Sequence, residues 1–132
     1  MVTDKFIDKP IMIRATLGSE AGDGEIVSLS SEFAGFSLYI KNQRLYFEIM
    51  DVPEPLQWDN LYPVKTIVKS SDELPNGRLN LEARMDKNGN VELFANGKTV
   101  GTGQAKTLSI HPAGTMTIGD AMAIEEVIVD VK

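Results

Sequence analysis

Alternation of apolar and polar side chains with a period of two constrains this chain more than any other feature. Over residues 36–41 every second side chain is apolar, and the same pattern returns over residues 44–49. This is the period of a β-strand with one face in the core and one in water. Asn42-Gln43 joins the two runs, and asparagine tolerates a positive φ, so the segment predicts a tight hairpin.

A second pair of alternating runs covers residues 79–85 and 91–95. Between them lies Asp86-Lys87-Asn88-Gly89-Asn90, whose residue types are typical of turns. Asn96-Gly97 follows, which is the strongest short hairpin signal. Further strands are predicted over residues 11–17, 25–30, 64–69, 98–102, 115–118 and 124–131.

About ten short strands separated by turn signals predict an all-β protein, and no segment shows a helical stripe. Strands with one polar face form antiparallel sheets, and two such sheets must stack their apolar faces. We therefore expect a two-sheet antiparallel β-sandwich of the jelly-roll type. One domain over residues 1–132 is expected, with residues 1–9 as an N-terminal arm. The predicted core is Leu38, Ile40, Leu45, Phe47, Leu79, Leu81, Val91, Leu93, Ile118, Val127 and Val129.

The formal net charge of -6 argues against a nucleic-acid partner and against an anionic membrane surface. The chain has no cysteine, which excludes disulfides, thiolate metal sites and a cysteine nucleophile. No signal peptide is recognised at the N-terminus.

Four segments resemble known fold motifs. Residues 35–48, Gly-Phe-Ser-Leu-Tyr-Ile-Lys-Asn-Gln-Arg-Leu-Tyr-Phe-Glu, resemble the central hairpin of concanavalin A-like and laminin G-like domains, with Asn42-Gln43 in place of the usual Asp-Gly turn. Residues 74–77, 91–98 and 125–129 resemble other strand and turn motifs of these domains. The chain is most similar in character to the sandwich domain at the C-terminal end of bacterial arylsulfatases. That resemblance implies a non-catalytic accessory domain and a periplasmic or extracellular location.

The proline-rich segment 51–63 is the most unusual stretch, and it holds the only tryptophan. Irregular segments of this length within a domain are often functional. An indole or phenol ring suits stacking on a sugar, and amide and carboxylate groups suit its hydroxyls. A glycan site is therefore predicted here, although Trp58 and Leu61 could instead pin the segment to a sheet. The predicted ligand-binding residues are Trp58, Tyr62, Asn60, Asp59 and Gln57.

Calcium is the one cofactor that the resemblance suggests. Laminin G-like domains bind it at a loop rim, and Asp23 and Asp120 are loop acids that could do so here. The segment 86–90 has glycine too early for an EF-hand loop and is interpreted as a hairpin turn.

Catalytic chemistry finds little support in the sequence. Glycosidases need two carboxylates that face each other, but Glu48 and Asp51 alternate faces and Glu125 and Glu126 are adjacent. His111, the single histidine, precedes Pro112 in a predicted turn.

Three functions remain open. The first is a non-catalytic carbohydrate-binding or accessory domain of a sulfatase-like or glycan-processing protein. The second is a structural or protein-interaction module, including a homo-oligomer, that uses Tyr39, Tyr46 and Phe94 as one exposed aromatic patch. The remote third is a small glycoside hydrolase.

Overall fold

In the computed structural model the chain forms ten strands, and the structure describes residues 10–18, 23–30, 34–51, 64–105, 116–119 and 124–131. The predicted strands are all present, with ends that match the prediction or differ from it by one or two residues. They are β1 (Ile11–Leu17), β2 (Gly24–Ser30), β3 (Gly35–Lys41), β4 (Arg44–Asp51), β5 (Val64–Lys69), β6 (Leu79–Met85), β7 (Asn90–Ala95), β8 (Lys98–Gln104), β9 (Met116–Ile118) and β10 (Ile124–Val131).

The strands form two five-stranded sheets. Sheet 1 has the order β10-β1-β6-β7-β8, and sheet 2 has the order β5-β4-β3-β2-β9. All strand pairs are antiparallel. The expected all-β two-sheet sandwich is therefore confirmed. Among the described residues, no helix is long and apolar enough to cross a membrane.

The core lies between the sheets, where the apolar residues of each alternating strand meet. Eight of the eleven predicted core residues are buried, from Leu38 on β3 to Leu93 on β7. Val127 and Val129 are only partly buried because β10 is an edge strand, yet they pack against the core. The prediction was wrong for Ile118, which is 54% exposed. Its strand β9 has three residues and lies at the edge of sheet 2, so little of the opposite sheet covers it.

Both predicted two-residue hairpins are confirmed. Asn42 and Gln43 have φ of 51° and 63°, and Lys41 pairs with Arg44 across the turn. Asn96 and Gly97 have φ of 52° and 82°. Two consecutive positive φ angles define the type I′ turn, whose twist matches that of the flanking strands.

The sandwich is closed along the edge where β5 of sheet 2 approaches β8 of sheet 1. Ser71, just after β5, donates its amide to the Val100 carbonyl at 2.8 Å. Val100 is the bulge residue of β8, since Leu93 pairs with Gly101 and Phe94 with Thr99. Gly101 is buried, and a Cβ there would lie 2.8 Å from Ser70 Cα, so only glycine permits this approach.

Candidate functional site

None of the five predicted ligand-binding residues falls in the described part of the chain. Gln57, Trp58, Asp59, Asn60 and Tyr62 lie outside the described residues, and so do Asp120 and His111. We call residues 52–63 the Trp58 segment, and the structure describes the two residues that flank it. Asp51 and Val64 are Cα partners at the end of the β4–β5 ladder. Asp51 itself, expected to begin the irregular stretch, is the last residue of β4 and is buried.

The outer surface of sheet 2 is the strongest candidate site among the described residues. We call it the tyrosine face. It consists of the side chains of β2 to β5 that point away from the core. These are Glu25, Ser28, Ser37, Tyr39, Lys41, Arg44, Tyr46, Glu48, Met50, Lys65, Ile67 and Lys69.

A groove of about 310 Å³ crosses this face. It is lined by Glu25, Ser28, Ser37, Glu48, Met50 and Lys65, together with Gly35 and Phe36. Met50 and Lys65 are Cα partners one step from the Asp51–Val64 pair. The groove therefore reaches the end of the sheet from which the Trp58 segment departs.

Two tyrosines stand beside the groove. Tyr39 and Tyr46 are Cα partners across the β3–β4 hairpin, and their rings stack with centroids 5.0 Å apart and an interplanar angle of 7°. Each ring covers one face of the other, and both tyrosines are half-buried. Partial burial raises the pKa of Tyr39, and the nearby Glu48 carboxylate and Tyr46 raise it further. The Tyr39 hydroxyl thus stays protonated as a hydrogen-bond donor beside Glu48.

The carboxylates of the groove already have polar neighbours. Glu48 lies 3.8 Å from the Lys65 ammonium, and Glu25 accepts a hydrogen bond of 2.8 Å from the Ser28 hydroxyl. Hydroxyls, carboxylates and one ammonium line the same groove, so it offers both donors and acceptors to a polar ligand.

Comparing acids along single strands could not show that Glu25 and Glu48 line the same groove. Outward alternation on β2 and β4 was the signal that could have found it, once the strand order was known. The two strands flank β3, so their backbones lie about 10 Å apart. The prediction that Glu48 and Asp51 face opposite sides is confirmed, since Asp51 is buried and Glu48 lines the outer groove.

The predicted single patch of three aromatic rings is wrong. Phe94 lies on β7, on the outer face of sheet 1, whereas both tyrosines lie on the outer face of sheet 2. The core separates them. Phe94 instead contacts the Arg84 guanidinium, whose carbon lies 5.0 Å from the ring centroid. A second groove of about 420 Å³ lies there, lined partly by Arg14, Glu82, Arg84, Phe94 and Ile128.

Possible metal ligands are sparse in the described part of the chain, where no group of three or more His, Asp or Glu side chains could hold an ion. Asp23 is exposed just before β2. Gly119, the described neighbour of Asp120 in sequence, donates its amide to the Ile26 carbonyl at 2.8 Å. The predicted hairpin turn over residues 86–90 is confirmed, and it uses the Asp86 carboxylate internally.

Comparison with known proteins places the fold. No family model matches the chain, and no curated protein matches it. Several solved structures do, among them the CBM40 of an IT-sialidase from Ruminococcus gnavus. It is 18% identical with a TM-score of 0.57, over 96% of this chain and 77% of that one. The same CBM40 bound to α2,6-sialyllactose matches at 17% identity and a TM-score of 0.50, with the same coverage.

The binding domain of botulinum neurotoxin DC in complex with SialylT is a further match. It is 14% identical with a TM-score of 0.57, over 92% of this chain and 30% of that one, so the chain spans about a third of its length. The chain has the concanavalin A-like two-sheet antiparallel sandwich fold, as these matches show. None of them is described as an arylsulfatase, and the arylsulfatase resemblance gains no support.

Proposed function

We propose that this chain is a non-catalytic, glycan-binding β-sandwich domain whose ligand lies on the tyrosine face. The observation that carries the proposal is that a stacked tyrosine pair and a polar groove share one face of one sheet, and that the groove reaches the end of the β4–β5 ladder, where the Trp58 segment begins. Sugars present apolar C–H faces and rims of hydroxyls, so they suit an aromatic ring beside clustered donors and acceptors.

Each part of the face has a role in this proposal. A sugar ring packs on the face of Tyr46 that points away from Tyr39. Stacking on Tyr39 fixes the orientation of the Tyr46 ring. Ser37 and Glu48 bond sugar hydroxyls from the groove. The Trp58 segment adds Trp58 and Tyr62 as further platforms, with Gln57, Asp59 and Asn60 as polar contacts.

The similar solved structures support the ligand class. One is a CBM40, also seen with α2,6-sialyllactose, and another is a toxin binding domain in complex with SialylT. At identities of 14–18% their ligands are a guide to the class of ligand and not to the residues that bind it.

Paired alanine substitutions on opposite faces test this proposal. Tyr46→Ala and Phe94→Ala each remove one half-buried ring from an outer sheet face. We expect Tyr46→Ala to weaken binding by about tenfold and Phe94→Ala to leave it unchanged, because only Tyr46 touches the ligand. A glycan array on the wild-type chain identifies the ligand, and calorimetric titration of both variants gives the affinities.

Three results of these binding measurements would contradict the proposal. Equal losses in both variants would show a general effect of destabilisation, and a loss confined to Phe94→Ala would move the site to sheet 1. No glycan bound by the wild-type chain would end the lectin hypothesis. Trp58→Ala, measured in the same way, tests the Trp58 segment separately.

A protein-interaction module is the second candidate, now restricted to the tyrosine face. Ile67 is 50% exposed on β5 beside Glu48, so it adds apolar surface to Tyr39 and Tyr46. Sedimentation analysis distinguishes the two candidates, since self-association through this face would weaken in an Ile67→Ser variant while glycan binding would persist.

The wider context follows from the proposed function. We propose that the domain accompanies a glycan-processing protein outside the cytoplasm, and that Asp23 and Asp120 bind calcium at the loop rim. A calcium titration monitored by thermal unfolding checks the second point, with Asp23→Asn expected to abolish any shift. A glycoside hydrolase remains the remote alternative, and hydrolysis of the bound glycan lost in Glu48→Gln would establish it.

A further inference from the structure

The two outer faces of the sandwich carry opposite charge. On the strands of sheet 2 the outward charged residues are four basic and two acidic: Lys41, Arg44, Lys65, Lys69, Glu25 and Glu48. At the outward ladder positions of sheet 1 they are two basic and four acidic: Arg14, Arg84, Glu82, Glu92, Glu126 and Asp130. The exposed Lys98 on β8 and Glu125 on β10 add one charge of each sign. The basic face is therefore an exception in a chain of net charge -6.

Three of these basic residues gather at the hairpin end of the tyrosine face, opposite the groove. Lys41 and Arg44 are Cα partners beside the turn, and Lys69 is the Cα partner of Tyr46. Arg44 donates from Nη1 to the carbonyl oxygens of Ser70, at 3.3 Å, and Ser71, at 2.6 Å. These bonds draw its guanidinium towards the end of β5, where Lys69 lies.

No carboxylate in the described part of the chain lies within ion-pair distance of this cluster, although the exposed Asp72 and Glu73 follow Ser71 in the chain. Lys41, Arg44 and Lys69 make no ion pair there, whereas Lys65 is paired with Glu48 and Arg14 with Glu82. Both lysines are exposed. Unpaired cations beside an aromatic ring fit a ligand that carries an anionic group on an otherwise uncharged, ring-shaped body.

We propose that Lys41, Arg44 and Lys69 form a subsite for the carboxylate or sulfate of an acidic glycan. This inference rests on the proposed function. It specifies that the ligand is an acidic glycan and how that glycan is oriented on the tyrosine face. The anionic group lies at the hairpin end, and the neighbouring sugars run across Tyr46 towards Glu48 and the groove. The path from Arg44 to Met50 is about 20 Å long, enough for an oligosaccharide.

Three matched ligands test the subsite: lactose, α2,6-sialyllactose and 3′-sulfated lactose. The neutral sugar gives the baseline, and the two acidic sugars separate a carboxylate from a sulfate. The test variant is Lys41→Gln/Lys69→Gln. Arg44 is kept because its guanidinium donates hydrogen bonds to the backbone carbonyls of the segment after β5 and so holds that segment in place. The control variant is Lys87→Gln/Lys98→Gln, which removes the same charge from exposed lysines of sheet 1 and its turn.

We expect the wild-type chain to prefer at least one acidic sugar over lactose. The test variant should reduce that preference by about 3- to 10-fold, since two exposed charge pairs are lost, while lactose binding is unchanged. The control variant should keep the preference. Raising the salt concentration should diminish the preference in the wild type, because exposed charges are screened.

Other results overturn the subsite. Equal affinity for lactose and both acidic sugars would refute it and leave the proposed glycan-binding function standing. A preference that falls equally in both double variants would assign it to overall charge. If none of the three sugars binds and the glycan array is also blank, both proposals fail.

Discussion

At the scale of single residues, Asp86 organises the turn between β6 and β7. Its Oδ1 accepts hydrogen bonds from the amides of Asn88, at 2.8 Å, and Asn90, at 3.0 Å. Its Oδ2 accepts one from the Asn90 side-chain amide at 3.0 Å. These bonds, led by the one from the Asn90 side chain, lower the pKa of Asp86 although it is fully exposed. A carboxylate so occupied is a turn residue and a poor candidate for a metal ligand.

Asn90→Ala should raise the pKa of Asp86 towards its ordinary value while leaving it below that value, because the backbone donors persist. A carboxyl group whose pKa is lowered by folding stabilises the protein at pH values above its pKa in the unfolded chain. This stabilisation is lost as the pH falls through the pKa of the folded state. The stabilities of wild type and Asn90→Ala should therefore converge in acid. Carboxyl NMR titration and urea unfolding at several pH values check both points.

Asn88→Ala is the matched control for this prediction. The side chain of Asn88 makes no described bond to Asp86, and its backbone amide is retained. Its Asp86 titration should match that of the wild type. A stability difference between wild type and Asn90→Ala that persists undiminished at low pH would show that the carboxylate bond is not its source.

At the scale of elements, the β3–β4 hairpin explains why its turn departs from the common Asp-Gly pair. Gln43 holds a left-handed φ of 63°, which is unfavourable for a residue with a side chain. The side-chain amide of Gln43 donates to the Leu74 carbonyl at 2.9 Å, and the backbone carbonyl of Gln43 accepts from the Leu74 backbone amide at 2.7 Å. The turn thus docks on the segment between β5 and β6, and glycine would lose the side-chain part of that contact.

Two substitutions at Gln43 separate backbone strain from the side-chain bond. Gln43→Ala loses the bond and keeps the strain, so it should lower the free energy of unfolding by about 1 kcal/mol. Gln43→Gly loses the bond and relieves about 1 kcal/mol of strain, so it should stay close to the wild type. Urea unfolding measures both. A Gln43→Gly variant clearly more stable than the wild type would mean that the side-chain bond contributes nothing.

The elements were also what the sequence predicted best. Period-two alternation and turn residues are local, so strands such as β1, β5, β6 and β10 match their predicted ranges, and both two-residue hairpins are present. The exposure of Ile118 was not predictable in this way, because it depends on β9 being short and lying at a sheet edge.

At the scale of the whole molecule, the two sheets meet most closely where β5 and β8 close one side of the sandwich. A Cβ at Gly101 would lie 2.8 Å from Ser70 Cα and 3.0 Å from the Lys69 carbonyl oxygen. Both neighbours are backbone atoms of the segment at the end of sheet 2, so they cannot move aside without shifting one sheet against the other.

Gly101→Ala should therefore lower the free energy of unfolding by about 3 kcal/mol, through overpacking at this closure. Gly97→Ala provides the comparison, since a Cβ there has no atom within 4 Å and meets only the strain of a φ of 82°. It should cost about 1 kcal/mol. Denaturant unfolding measures the free energy of unfolding of both variants. Equal decreases in the two variants would contradict close packing as the cause of the effect at Gly101.

The candidate site depends on sheet order, which local patterns do not determine. The outward positions of Tyr39, Tyr46 and Phe94 follow from alternation, but their division between two faces required the pairing of β3 with β4 and of β6 with β7. The same holds for Glu25 and Glu48, which lie far apart in sequence and line one groove.

The opposite charge of the two outer faces gives the strands an electric dipole moment along the sheet normal. The net charge of -6 repels an anionic surface at long range, while the dipole turns sheet 2 towards that surface as the molecule approaches. A molecule of this kind arrives in one orientation even when its overall approach is slowed. On a cell coat rich in acidic sugars, the face that meets the coat first would then be the one that carries the tyrosines.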